Sequence, residues 1–155
     1  MSDGTVAIIT DSVAGLTRDL LESYGISIVP IRLLVEGKVY RDLIDMSPAE
    51  AYSFLEQDPD SFSTLPPSPG HYMEAFRETS LKAKNLLCIT LSSGLSTGYN
   101  MALLAKVQAE AELPGVTIQV MDSRNVTAAE GFIVLAAARA AAAGKGLAQV
   151  VSAAE

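Results

Sequence analysis

A three-layer α/β domain, a parallel sheet with helices on both faces, is the fold class this sequence predicts, and three observations predict it. Short apolar, β-branched runs alternate along the chain with stretches of helical length and patterning. Three of those runs end in loops rich in Ser, Thr and Asp, where strands of an open parallel sheet hand over to helices. With 155 residues, 49% hydrophobic and 19% charged, the chain reads as one compact domain. A core of that size stands without disulfides or metal.

The elements follow in order. Val6-Ala7-Ile8-Ile9-Thr10 is the first strand, and Thr17 caps a helix whose Leu20 and Leu21 face inward before Gly25 stops it. Residues 26–29 and 31–35 are extended segments broken by Pro30, and Glu36-Gly37 turns the chain toward Val39-Tyr40. A hairpin or edge extension is therefore expected near residues 31–42. Ser47-Pro48-Ala49-Glu50 combines a capping hydroxyl, a proline at the first helical position and a glutamate three residues after the cap. That pattern predicts a helix running to about Leu55, ended by Asp58-Pro59. Residues 61–70 carry too many prolines and hydroxyls for regular structure and are expected to form the longest loop, with a helix from about residue 71 to 82 after it.

Residues 85–90 read as a second buried strand, 91–96 as a loop, and 97–111 as a long helix closed by Pro114-Gly115. The unit then repeats, with a strand at 117–121, a loop at 122–125 and an alanine-rich helix at 127–143 stopped by Gly144-Lys145-Gly146. Alanine is the best helix former, and its small side chain permits close packing. After Gly146 a new amphipathic pattern begins with Leu147, Val150 and Val151 and reaches Glu155 without a capping signal. Residues 1–146 are accordingly expected to form the domain, and 147–155 the start of a helix leading to a C-terminal domain absent from the chain.

Charge and composition narrow the function. The formal charge is 11 − 18 = −7 with the single histidine neutral, so a nucleic-acid surface, which needs clustered Lys and Arg, is not expected. Met1-Ser2-Asp3 leads almost at once into a strand-like run, without the basic segment and apolar core that export uses. The longest strongly apolar stretch, residues 131–138, falls far short of the roughly 20 residues a membrane helix needs. Cys88, the one cysteine, can form no intramolecular disulfide and reads as a small buried hydrophobe in a reducing, cytoplasmic setting.

The polar strand ends are Thr10-Asp11-Ser12, Thr90-Leu91-Ser92-Ser93-Gly94 and Asp122-Ser123. In an open parallel sheet such ends form the ligand crevice, and the following helices aim their N-terminal amides into it. Hydroxyls, amides and helix ends suit one diffuse negative charge, whereas polyphosphates recruit Lys, Arg or metal. Only Arg124 is expected near these loops, so a carboxylate or a single phosphate fits best. No GxxxxGK(S/T) or GxGxxG motif follows a strand, no metal-ligand spacing is present, and no cofactor is expected. His71 looks like an exposed helix-start residue rather than a general base. Asp11 and Asp122 are expected to cap helices or orient loops, and no catalytic residue is assigned.

At these same residues the sequence resembles the DegV family, which includes the fatty-acid-binding subunits of bacterial fatty acid kinase systems. Ile9-Thr10-Asp11-Ser12-Val13-Ala14-Gly15-Leu16 is similar to the family's opening TDS-x-A-x-L motif, and Tyr40-Arg41-Asp42 to its Y-x-D hairpin region. Pro67-Ser68-Pro69-Gly70, with Thr64 before it, resembles the TSQPSPG loop, although Leu65-Pro66 stand where the family commonly has Ser-Gln. Leu91-Ser92-Ser93-Gly94-Leu95-Ser96 with Tyr99 resembles LSSxLSGTY, and Val120-Met121-Asp122-Ser123 with Gly131 resembles VxDS-x-G. The resemblance implies the N-terminal α/β domain of a two-domain carrier with a fatty acid held between the domains. It implies further that Thr64 and Ser93, with Ser92, hydrogen-bond the carboxyl group of a long-chain fatty acid, and that a kinase partner converts it to the acyl phosphate. Gly94, Ser12, Asp11 and Ser123 complete the expected ligand-binding set. Two rivals stay open: a hydrolase or phosphotransferase using Asp11 or Ser93, and a non-catalytic interaction module whose alanine-rich helix packs on a partner.

Overall fold

The computed structural model describes residues 4–155, so the opening Met1 to Asp3, on which the absence of an export segment bears, lies outside the described residues. In chain order the elements are β1 (Val6–Asp11), α1 (Arg18–Tyr24), β2 (Ser27–Val29), β3 (Arg32–Val35), β4 (Lys38–Arg41), α2 (Pro48–Gln57) and β5 (Phe62–Leu65). They continue as α3 (Pro69–Ser80), β6 (Asn85–Thr90), α4 (Gly98–Glu112), β7 (Thr117–Asp122), α5 (Ala128–Ala142) and α6 (Leu147–Ala154).

Side chains alternate across a strand, so the apolar runs Val6 to Ile9 of β1 and Leu86 to Ile89 of β6 must be covered on both faces. They are. Val6, Ile8, Leu87 and Ile89 pack on Val134, Ala137 and Ala138 of α5 and Val150 of α6. On the opposite face Ile9, Leu86 and Cys88 meet Tyr72, Met73 and Phe76 of α3 and Ala102, Ala105 and Ala109 of α4. The four strands are parallel in the order β2-β1-β6-β7. This is the expected three-layer α/β arrangement, with Cys88 fully buried. Residues 143–146 lead from α5 into α6, whose Val150 and Ala154 pack in the core.

The hairpin expected near residues 31–42 is present. Glu36 and Gly37 take positive φ (49° and 77°), the two-residue turn whose twist matches the strands it joins. It extends a separate antiparallel sheet, order β4-β3-β5, with α2 on one face over Leu33, Val35 and Met46. Here one expectation fails. The predicted irregular segment 61–70 contains β5, in register with β3 so that Phe62 faces Val35 and Thr64 faces Leu33. The prolines that suggested irregularity begin only at Pro66, after the strand, and an edge strand accepts Ser63 and Thr64 without penalty. The following helix starts at Pro69 rather than His71, because Ser68 is its cap: the Ser68 backbone N–H donates to His71 Nδ1 at 3.0 Å and Oγ lies 2.8 Å from the same atom.

Topology places a crevice. From β1 the chain goes outward to β2, then returns through the small sheet and α3 to β6 on the other side of β1. β1 and β6 therefore flank the switch point, where open α/β sheets bind ligands beyond their strand ends.

Candidate functional site

Asp11 ends β1 at this switch point. Its Oδ1 accepts from the Val13 N–H at 3.0 Å and its Oδ2 from the Leu91 N–H, across the crevice, at 2.8 Å. It thus ties the end of β1 to the loop after β6. Ser12 Oγ accepts from the Ile31 N–H at 3.1 Å and so fastens the small sheet to the same point. In the β6 loop, Ser92 Oγ accepts from the Gly94 N–H at 3.2 Å, and the Ser92 N–H donates to the Asn125 carbonyl at 2.8 Å. Ser93 donates from Oγ to Asp122 Oδ2 at 2.6 Å and from its amide to Oδ1 at 3.1 Å. Partial burial pushes the Asp122 carboxyl up, but donors from Ser93 and the Arg124 amide outweigh it and hold the group below its ordinary range.

Between these loops and the small sheet lies an open cavity of about 470 Å3. One wall is Leu91, Ser93, Gly94, Leu95, Ser96 and Thr97, the last capping α4, whose positive end faces the space. Ile31, Thr64, Leu65 and Pro66 form the other wall, and Val13 contributes from the turn after β1. Aliphatic carbon and hydroxyl oxygen alternate around it.

Of the expected ligand residues, Thr64, Ser93 and Gly94 line this one cavity although they come from different sheets. Asp11, Ser12 and Ser92 stand behind the wall and shape it. Ser123 is turned away: its Oγ donates to the Asn125 carbonyl and accepts from the Asn125 N–H, both at 3.1 Å, beside a second, more polar cavity of about 650 Å3. The expectation that only Arg124 lies near the site needs correction. Arg32, placed by the β3–β5 register opposite Leu65, donates from Nη2 to the carbonyl of Pro66 at 3.0 Å, one layer behind the cavity wall. No run of sequence carries that signal, because β3 meets β5 only through strand pairing.

Sequence reasoning also missed Glu130. It lies in the first turn of α5, is fully buried, accepts from Thr10 Oγ1 at 3.4 Å and stands close enough to Asp11 for the two carboxyl groups to interact electrostatically. Burial, and next the neighbouring Asp11, push its carboxyl far above the ordinary range; burial also raises Asp11. The available signal was a lone acid at the head of an otherwise apolar helix. Gly131 beside it has a spatial reason: a Cβ there would stand 2.5 Å from the Ala14 carbonyl oxygen. Only glycine lets α5 seat against the turn after β1. Among the described residues no group of three or more His, Cys, Asp or Glu is disposed to hold a metal, and no helix is long and apolar enough to cross a membrane.

Comparison with known proteins gives a consistent picture. The family model described as uncharacterised protein, DegV family, matches residues 5–155. The DegV domain-containing protein TTE1491 of Caldanaerobacter subterraneus is 33% identical over 147 residues, covering 95% of this chain and 51% of the relative. Among solved structures, a fatty acid (stearic acid)-binding protein from Eubacterium ventriosum superposes with a TM-score of 0.87 at 28% identity, over 95% of this chain and 51% of that one. A DegV family protein from Thermus thermophilus, described by its fatty acid binding, gives 0.83 at 27% identity over 97% and 52%. The chain spans about half the length of each of these three proteins.

Proposed function

The chain belongs to the DegV family, and from that premise we propose that it binds the carboxyl group of a long-chain fatty acid at the switch-point cavity. It acts in the cytoplasm as a carrier rather than an enzyme, presenting that carboxyl group to a kinase partner for acyl-phosphate formation. A second domain, of the kind the greater length of its relatives leaves room for, encloses the acyl tail.

The observation that carries this reading is the lining of the cavity: hydroxyls of Thr64, Ser93, Ser96 and Thr97 set among Val13, Ile31, Leu65, Leu91 and Leu95. Its chemistry matches a ligand with one charge and a long apolar body. Hydroxyls and the α4 terminus hold a carboxylate, and aliphatic carbon receives the chain next to it. Arg32 adds a positive charge nearby, and among the described residues it forms no ion pair. Ser93 gives its one hydroxyl proton to Asp122, so a carboxylate takes that proton only in exchange for this bond. The fatty acids named for the related structures support the same ligand class. A nucleophilic Asp11 is disfavoured, because both its oxygens are already held by backbone amides.

Mass spectrometry of an organic extract of the purified folded protein, beside an unrelated acidic protein, tests the proposal. Near-stoichiometric fatty acid is expected from this chain or from a version extended to the length of its relatives; none from either overturns the reading. Ser93→Ala is expected to weaken oleate binding by about 1 to 3 kcal/mol, and unchanged affinity removes Ser93 from the site.

A further inference from the structure

The buried pair Asp11 and Glu130 has a role of its own. Two interacting carboxyl groups buried in a core cannot both ionise readily, since each charge is desolvated and repels the other. Among the described residues no ion pair reaches either group. The other titratable side chains that feel the pair are Tyr72 on α3 and Cys88 on β6, and burial holds the proton on each beyond its ordinary range. Thr10, on β1, offers only a hydroxyl. One proton must therefore be shared.

Its place follows from the donors. Both Asp11 oxygens accept backbone N–H bonds, which favour the ionised form. Among the described residues the one donor that reaches Glu130 is Thr10, through a long bond, and Oε2 is buried without a donor. An unprotonated oxygen there would be an orphan acceptor, whereas an O–H has the Asp11 carboxylate to donate to. Asp11 Oδ2 fixes the Leu91 amide, and Leu91 begins the wall that carries Ser93. We propose that Glu130 is a positioning residue: its protonated carboxyl donates to the Asp11 carboxylate, and this one-proton clasp between α5 and β1 holds the Leu91 amide and with it the ligand-facing wall of the cavity. The link to ligand rests on the function proposed above; the clasp itself does not.

The test follows the wild-type protein and Glu130→Gln, whose amide keeps a donor for Asp11 and cannot ionise, from about pH 6 to about pH 10, above the ordinary carboxylate range. The folded state holds a proton that the unfolded chain has released, so wild-type stability in urea should fall as pH rises while the variant stays level by comparison. Carbon-13 spectra of the wild-type carboxyl groups should show Glu130 without a titration step in the ordinary carboxylate range, and the Leu91 amide should move with the Glu130 step; this arm stands even if the variant fails to fold. Equal pH slopes in the two proteins, or a Glu130 carboxyl that ionises normally, overturn the clasp. Oleate affinity over the same range separates the rest: a loss in wild type that Glu130→Gln abolishes supports positioning, and a flat profile while Glu130 titrates overturns it. No oleate binding at any pH, with the carboxyl result intact, removes the proposed ligand and leaves the clasp standing.

Discussion

The cavity has two walls of different construction. On one side stands the parallel sheet, where β1 and β6 are buried at almost every position and sandwiched between helical layers. On the other stands the antiparallel sheet, where β4 and β5 are largely exposed and only Leu33, Val35 and Met46 form a fully buried cluster beneath α2. Ser93 rides on the first and Thr64 on the second. Free energy of local opening follows burial and contact density, so the two walls should differ in stiffness as well. Under the proposed function the difference teaches a division of labour: the stiffer wall would set where a charged group sits, and the softer wall would adjust to what lies beside it.

The comparison breaks most easily in the core. Phe76, fully buried between α3 and the sheet, should cost about 3 to 5 kcal/mol when replaced by alanine. Phe62→Ala, a half-buried side chain packed against the buried cluster of the small sheet, should cost clearly less and should speed hydrogen exchange in residues 62–65 while leaving residues 86–89 protected. Equal losses, with exchange rising together in both sheets, would show one cooperative unit and erase the distinction.

Gly131→Ala sharpens the stiff side. The added Cβ meets a carbonyl oxygen rather than a flexible side chain, so α5 must move off the turn after β1. A loss of about 1 to 3 kcal/mol in urea denaturation is expected. A neutral result would show that the packing of α5 against the site yields more readily than its burial implies.

Legibility in the sequence divided along the same line. Strands β1 and β6 were readable because a strand buried on both faces needs an apolar run, and the caps at Thr17 and Ser47 because they act within one turn: Thr17 Oγ1 accepts from Leu20 and Ser47 Oγ from Glu50. β5 was not, since an exposed edge strand of Ser63 and Thr64 looks like a loop until its partner is known. Ser93 and Gly94, which line the cavity, were expected from the polar end of β6 and Thr64 from motif resemblance. Arg32 and Glu130 were hidden for a physical reason: each matters through a partner far away in sequence, Arg32 through Pro66 and Glu130 through Asp11 and Thr10.

The smallest expected effect separates the walls by the sign of their response to pH. On the soft side Asp45 accepts from Arg41 Nε and the Arg41 amide, each at 2.9 Å, and from Nη2 at 2.8 Å, and these bonds lower its carboxyl to about 2. A depressed acid stabilises the fold above its unfolded value, near 3.9, and loses that contribution as pH falls through the folded value. The Asp11–Glu130 pair does the reverse, contributing most at low pH and losing it as pH rises. Asp45→Asn should therefore be slightly less stable than the parent at neutral pH, and the gap should close as pH falls toward 2. Both Arg41 and Asp45 are well exposed and salt screens such pairs, so the gap should also shrink in high salt, which leaves a buried pair unmoved. A gap that persists at low pH would mean that Asp45 acts through the turn it closes rather than through its charge.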